Sequence, residues 1–385
     1  MRVVSVVGAR PQFVKLAPVA HAMAAAGVEH VIIHTGQHYD PMLSDVFFTD
    51  LGIPAPGIHL GVGSGGHGAQ TGAMLAALDE ALPPLSADWV LVYGDTNSTL
   101  AAALAAVKLH IPVAHLEAGL RSFNRAMPEE INRVLTDHAA DLLLTPTAVG
   151  AEHLAAEGLA GSTVVVGDVM TDVLLQVRDR VSGSPSPVME ELSLAEGSYS
   201  LATIHRAENT DDAERLKSVL DSLARVDHPV VILAHPRLVA KCAEHGLALK
   251  SRGSLLIHPP LAYPDLIASA LHARGVITDS GGLQKEAFLL RVQCTTVRPQ
   301  TEWVETVELG WNRLVEPGEA LVEAASRPRP AEPREADAHP YGDGHAAERV
   351  VAELTAHLPP ARLTAGFDGA RQALSRSAPE PSGRA

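Results

Sequence analysis

The chain has 385 residues, 46% of them hydrophobic, and its 45 acidic against 30 basic side chains give a formal charge of -15. So acidic a surface excludes nucleic acid or an anionic membrane as the main partner, while the length and apolar content predict a globular protein of two or three domains. Two cysteines, Cys242 and Cys294, are too few for a disulfide framework, and the chain starts directly with the strand-like RVVSVVG, so the expected compartment is the cytoplasm.

Short Val/Ile/Leu runs alternate with longer Ala/Leu-rich segments. VVSVV is followed by a helical pattern from Phe13 to Ala26, HVIIHT by one from Pro41 to Leu51, and WVLVYGD by one from Thr99 to Leu109. PVAHLEAG precedes a helix opened by Pro128, and DLLLTPT and TVVVGDV continue the series to about Val169. This rhythm predicts βα units in a parallel, doubly wound sheet covered on both faces. The most apolar stretch, around Leu100 to Leu116, is broken by Lys108, His110 and Pro112, so no spanning helix is expected.

Ser182 to Ser198, rich in Ser, Pro and Glu, reads as a connection between lobes. A second series then begins with YSLATIH, PVVILAH, SLLIHPP and RGVITDSGG, followed by TTV and NRLV. The expected division is an N-terminal Rossmann-like lobe over 1–170, a C-terminal one over 171–360, and a terminal segment over 361–385 whose end is predicted to be disordered. Two such lobes predict a cleft where the carboxyl ends of the sheets face each other.

The most informative stretch is RSFNRAMPEEINR, Arg121 to Arg133. Proline and acids suit the first turn of a helix, and Glu129 and Arg133 share one face at i, i+4. Asp95 in YGDTNST and Glu117 in AHLEAG end neighbouring strands, so three carboxylates are expected around one cleft. The ordinary alternatives are a helix N-cap for Asp95 and a pairing of Glu117 with Arg121. In GARPQFVK, Gly8 permits a tight turn while Arg10 and Lys15 lie where a strand edge meets a helix start, a place suited to a phosphate-bearing ligand.

In the second lobe, TDSGGLQKEAF carries Ser280, Gly281 and Gly282 after an apolar run and at the opening of a helix, the arrangement that holds a diphosphate. Glu286, about a turn further on, is placed to reach a ribose diol. TIHRAEN sets His205 and Arg206 after a strand, and LAHPR does the same with His235 and Arg237. GVGSGG, with Gly61, Gly63 and Gly66, satisfies a dinucleotide pattern but lacks a convincing strand before it, so a loop is expected. There is no Walker A motif, H-E-x-x-H or cysteine cluster, and no cofactor or metal is expected.

Taken in order, GARPQFVK, TGQHYD, the run from Tyr93 to Arg133, VGDVMTD, TIHRAEN, LAHPR and TDSGGLQKEA resemble the non-hydrolysing UDP-N-acetylglucosamine 2-epimerases, over about Met1 to Pro317. The resemblance implies a GT-B architecture, a UDP-sugar substrate and a homodimer. It makes Asp95, Glu117 and Glu129 the acid/base carboxylates, Arg133 their neighbour, and His205 a group near the bond that breaks. It further makes Arg10 and Lys15 first-lobe cations facing the substrate, Ser280, Gly281 and Gly282 the diphosphate cradle, Glu286 the ribose contact, and His235 a nucleotide contact. Arg206 and Arg298 are expected to bind substrate as well. Ala69 stands where self-regulated members carry an arginine, so the resemblance does not carry over an allosteric site built with Gln37; Gln293, Pro299 and Gln300 also depart from the family pattern, while Arg298 and Glu302 remain.

Relatives within the same resemblance act on UDP-2,3-diacetamido glucuronates, and the segment from Tyr93 to Arg133 does not separate the two. A GT-B glycosyltransferase would share the second-lobe nucleotide site without needing three first-lobe acids. A hydrolysing epimerase would release the free sugar.

Overall fold

The architecture is two parallel α/β lobes, seen in a computed structural model that describes residues 1–37, 53–334 and 339–357. The first sheet comprises β1 (Arg2–Val7), β2 (Glu29–His34), β3 (Ile58–His59), β4 (Trp89–Tyr93), β5 (Val113–Leu116), β6 (Leu142–Thr145) and β7 (Thr163–Val165), in the order β3-β2-β1-β4-β5-β6-β7. The second comprises β8 (Ser200–Thr203), β9 (Val230–Leu233), β10 (Leu255–His258), β11 (Gly275–Thr278), β12 (Gln293–Thr296) and β13 (Asn312–Leu314), in the order β10-β9-β8-β11-β12-β13. Strand direction is parallel throughout both sheets.

Each expected strand is present because the apolar runs supply both faces of a buried sheet. In β4, Trp89, Leu91 and Tyr93 enter one core and Val90 and Val92 the other. In β9, Val231 and Leu233 likewise oppose Val230 and Ile232. Each such side chain, fully buried, contributes about 1.5–3 kcal/mol of transfer free energy. The two-residue β3 was not anticipated, since two residues carry no period. Gly61 to Gly66 contains no helix, although the helix His67–Ala81 opens directly behind it with Gly66 as its N-cap. The expected helix over Pro41 to Leu51, the last three residues of TGQHYD and the segment 361–385 lie outside the described residues.

The lobes are stitched together by two crossings. The helix Val169–Val181 places Val169 in the first-lobe core and Val173, Leu174 and Val177 in that of the second. After the second sheet the chain returns: Ala346, Ala347, Val350, Val351 and Leu354 of the helix Ala346–Ala356 pack with Val3, Val7 and Leu16, and the Trp89 indole donates to the Leu354 carbonyl at 3.0 Å. The last described helix, within the expected 171–360 lobe by sequence, thus packs with the first lobe. The crossings touch where Gly167 meets Gly342, both at positive φ (93° and 91°), and the Asp168 amide donates to the Tyr341 carbonyl at 3.0 Å. Among the described residues no helix is long and apolar enough to cross a membrane.

Candidate active site

In an open parallel sheet the ligand crevice lies where strand order reverses, at the carboxyl ends of the flanking strands. The first sheet reverses between β1 and β4, and the second between β8 and β11. The chain leaves these four strands through Gly8, Gly94–Asp95, Ile204–His205 and Asp279–Ser280, so the chemistry-bearing motifs coincide with both switch points.

Gly8 is required by close approach: a Cβ there would collide with Thr35 Oγ1 and Ser98 Oγ. Gln12 locks this turn, its Oε1 accepting from the Gly8 and Ala9 amides at 2.8 and 3.0 Å while its Nε2 donates to the Tyr93 carbonyl at 2.9 Å. Arg10 opens the helix Arg10–Ala25, but its side chain lies outside the described residues. Lys15, one turn on, forms an ion pair with Glu117. Burial works against the lysine charge, yet the charge and hydrogen bond of Glu117, helped by Asp95 and Asp168, carry its pKa above the ordinary value. Glu117 adopts φ +73°, and a Cβ on Gly94 would lie 3.0 Å from its carboxylate.

Asp95 does not cap the following helix. Thr96 fills that role, accepting from the Thr99 amide at 3.4 Å, and leaves the Asp95 carboxylate to Arg133. Arg133 is held in turn by Glu130 at 3.0 Å. Glu130 is buried and also accepts from the Ser122 amide and hydroxyl and the Phe123 amide, each at 2.9 Å. Burial alone would raise its pKa, but these bonds and the Arg133 charge bring it below the usual carboxylate range. Glu129 is exposed in the first turn of the helix Pro128–Ala139 and makes no hydrogen bond among the described residues. The structure thus gathers Asp95 and Glu117 around Lys15 and Arg133, and leaves Glu129 outside that network. Arg121 pairs with Asp137 and Glu157, at 2.6 and 2.7 Å, rather than with Glu117.

Across the cleft, the fully buried Asp279 organises the second switch point by accepting from the amides of His205, at 3.0 Å, and Arg206, at 2.9 Å, and from Asn209 at 3.1 Å. His205 and His235 stand with ring centroids 4.9 Å apart. Burial, and then the His205 charge, lower the His235 pKa. Arg237 turns away to Asp211 at 2.5 Å. Ser280 is the N-cap of the helix Gly281–Leu289, and its own amide is committed to Thr278 Oγ1 at 2.9 Å. The amides left for a ligand are those of the first turn, from Gly281 onward. The Glu302 carboxylate lies over this turn, where a Cβ on Gly281 would overlap it, and pairs with Arg298 at 3.0 Å. The Arg206 guanidinium makes no ion pair among the described residues. Glu286 accepts from the Tyr263 hydroxyl at 2.8 Å, and burial raises its pKa.

Arg133 from the first lobe and Arg206, Arg298, Glu302 and Trp303 from the second line one interlobe cavity of about 490 Å³. The Lys285–Asp168 ion pair, with Lys285 4.4 Å from the Trp303 ring centroid, joins the SGG helix to the crossing segment. Such a cavity, with cations on both walls, suits an anionic ligand, and Asp95 adjoins it through its ion pair with the lining residue Arg133. Sequence reading missed Gln12, Glu130 and Asp279. Only the last had a signal, an acid at the carboxyl end of a switch-point strand.

A family model described as UDP-N-acetylglucosamine 2-epimerase matches residues 21–355. A UDP-N-acetylglucosamine 2-epimerase homolog of Methanococcus maripaludis is 44% identical over 357 residues, covering 92% of this chain and 99% of the relative. The UDP-2,3-diacetamido-2,3-dideoxy-D-glucuronate 2-epimerase of Pseudomonas aeruginosa is 43% identical over 361 residues, covering 92% and 99%. Among solved structures, the Methanocaldococcus jannaschii UDP-GlcNAc 2-epimerase in complex with UDP-GlcNAc and UDP superposes with a TM-score of 0.76 at 39% identity, covering 92% of this chain and 100% of that one. With this fold, these switch-point residues and these likenesses, the chain belongs to the UDP-N-acetylglucosamine 2-epimerase family and is an isomerase.

Proposed function

We propose that the protein is a cytoplasmic homodimer that interconverts UDP-N-acetylglucosamine and UDP-N-acetylmannosamine without net hydrolysis. The C2 hydrogen of the sugar is weakly acidic, and stretching of the anomeric C1–O bond makes it more so as positive charge builds at C1. A carboxylate takes the C2 proton, the C–H electron pair forms C1=C2 of a 2-acetamidoglucal, and UDP departs with the C1–O pair. A second acid then protonates C2 on the opposite ring face as UDP re-adds to C1.

In this reading Asp95, Glu117 and Glu129 supply the acid/base groups, with Arg133 orienting Asp95. Arg10, Lys15, His205, Arg206 and Arg298 face the sugar and its leaving diphosphate. The SGG turn cradles the diphosphate, while Glu286 and His235 contact the nucleoside. The observation that carries the reading is the pairing of a carboxylate-bearing switch point, with Lys15–Glu117 and Arg133–Asp95, against a second one opening on the SGG helix. The near-equal likeness to the Pseudomonas aeruginosa enzyme favours a second substrate reading, a UDP-2,3-diacetamido glucuronate.

Incubation with each sugar nucleotide in heavy water tests both. Deuterium at C2 of a UDP-linked product supports the epimerase reading, and the sugar turned over identifies the substrate. Free N-acetylmannosamine would mean a hydrolysing enzyme, and transfer only to an added acceptor a glycosyltransferase. Light scattering checks the dimer.

A further inference from the structure

Behind the first switch point lies a charged pair that the proposed reaction does not use. His115, in β5, and Asp137, in the last turn of the helix Pro128–Ala139, are both fully buried. His115 Nδ1 is 2.6 Å from Asp137 Oδ1, and its Nε2 is 2.8 Å from the Gly94 carbonyl oxygen. The other carboxylate oxygen of Asp137 accepts from the Gly119 amide at 3.2 Å and from Arg121 at 2.6 Å. Burial would raise the Asp137 pKa, but the charges and bonds of His115 and Arg121 lower it. The geometry says the same: with the Arg121 guanidinium and the Gly119 amide both donating to its other oxygen, the carboxylate is placed as an acceptor. The Gly94 carbonyl also only accepts, so both ring nitrogens of His115 carry hydrogen and the ring is an imidazolium.

Such a group is costly on fold grounds. An acid in the last turn of a helix opposes the helix dipole, and a desolvated ion pair seldom outperforms well-packed apolar residues. What the pair touches gives it a purpose. Gly94 precedes Asp95, and Gly119 follows Glu117 by two residues. The backbone is left-handed at Gly94 (φ +63°), Glu117 (φ +73°) and Gly119 (φ +81°), a conformation that strains a non-glycine residue such as Glu117. One imidazolium–carboxylate pair grips both turns, by the carbonyl on one side and the amide on the other.

We propose that His115 and Asp137 are positioning residues for epimerisation, a buried charged clamp that fixes the separation of the turns bearing Asp95 and Glu117. This rests on the epimerase reading above. Both residues are fully buried behind the turns they hold, so the clamp acts on the chemical step and not on nucleoside binding, which the proposed function assigns to the other lobe.

The test uses the full chain, wild type and Asp137→Asn. In the variant the amide still donates to a neutral ring and still accepts from Gly119, so shape is kept and charge is lost. Expected is a fall in kcat of at least about tenfold, as displaced catalytic groups give, with KM and calorimetric UDP affinity within about twofold of wild type. An unchanged kcat, or UDP affinity lost in parallel with kcat, would overturn the proposal. Nitrogen NMR of His115 in the wild type is independent of whether the variant folds: two protonated ring nitrogens at neutral pH are expected, and one bare nitrogen refutes the clamp. Wild-type protein that binds UDP but incorporates no deuterium at C2 would instead sink the epimerase reading, with the NMR result untouched.

Discussion

Glu129 and Glu130 are neighbours of equal charge, yet their conversion to glutamine should give opposite results. Glu130 is 3% exposed and gathers three donors from Ser122 and Phe123 at 2.9 Å and one from Arg133 at 3.0 Å. In Glu130→Gln one acceptor oxygen becomes a donor, so at least one partly buried N–H or O–H faces another hydrogen. An unsatisfied buried donor costs about 1–3 kcal/mol, and bonds to a charged acceptor contribute about 1.5–3 kcal/mol, so a loss of about 2–4 kcal/mol follows. Urea unfolding at pH 7, followed by circular dichroism, reads it. Because the Glu130 pKa is depressed on folding, the gap between wild type and variant is fully present above the unfolded carboxylate range, about pH 4.3, and closes as pH falls through the folded value. Glu129, exposed and unbonded among the described residues, should change stability by less than about 0.5 kcal/mol as Gln. As an acid/base group it should instead cost about 10²–10⁴-fold in deuterium exchange at C2. A Glu129→Gln protein that unfolds as early as Glu130→Gln, or a Glu130→Gln protein of wild-type stability, would refute this division of labour.

Gly281→Ala brings a methyl onto the mobile end of Glu302, which can swing aside, so stability should shift by less than about 1 kcal/mol. The same methyl blocks approach to the first-turn amides, so calorimetry should show UDP binding weakened at least about tenfold, near 1.4 kcal/mol. Unaltered UDP affinity would rule out the SGG turn as the cradle. His30, hydrogen-bonded to Ser5 Oγ at 2.8 Å, has its pKa lowered by burial to about 4. It folds neutral while the unfolded chain binds its proton from about pH 6.5 downward, so its contribution is complete above that value. It is lost as pH falls toward 4, with a decline on the order of 2 kcal/mol by pH 5. Denaturant titrations at pH 7 and 5 should show that loss in wild type and a smaller one in His30→Asn.

The strands and both switch points were legible because buried parallel sheets demand continuous apolar runs, and because the residue after such a run faces the crevice. Asp95, Glu117, His205 and Ser280 were all readable in that way. The division of roles within EE was not. Whether Glu129 or Glu130 turns inward depends on how the loop from Ser122 to Met127 folds back over the helix start, a tertiary fact with no period. Gln12 and His115 were hidden for a similar reason, since each bonds to a backbone carbonyl at the end of β4, well separated from it in sequence, and such bonds leave no mark on residue spacing. Burial also revised the ordinary alternatives: Asp95 was freed from capping by Thr96, and Arg121 was drawn from Glu117 to Asp137.

The return of the helix Ala346–Ala356 to the first lobe bears on how the molecule is made. Until residue 356 has left the ribosome, the groove that receives Val350 and Leu354 stays open, with Trp89 lacking its acceptor and Val3, Val7 and Leu16 lacking their cover. The N-terminal half, though synthesised first, is the last to be completed. A stalled or truncated product therefore displays a sticky apolar trough, and fragments meant to isolate one lobe need residues from both ends of the chain.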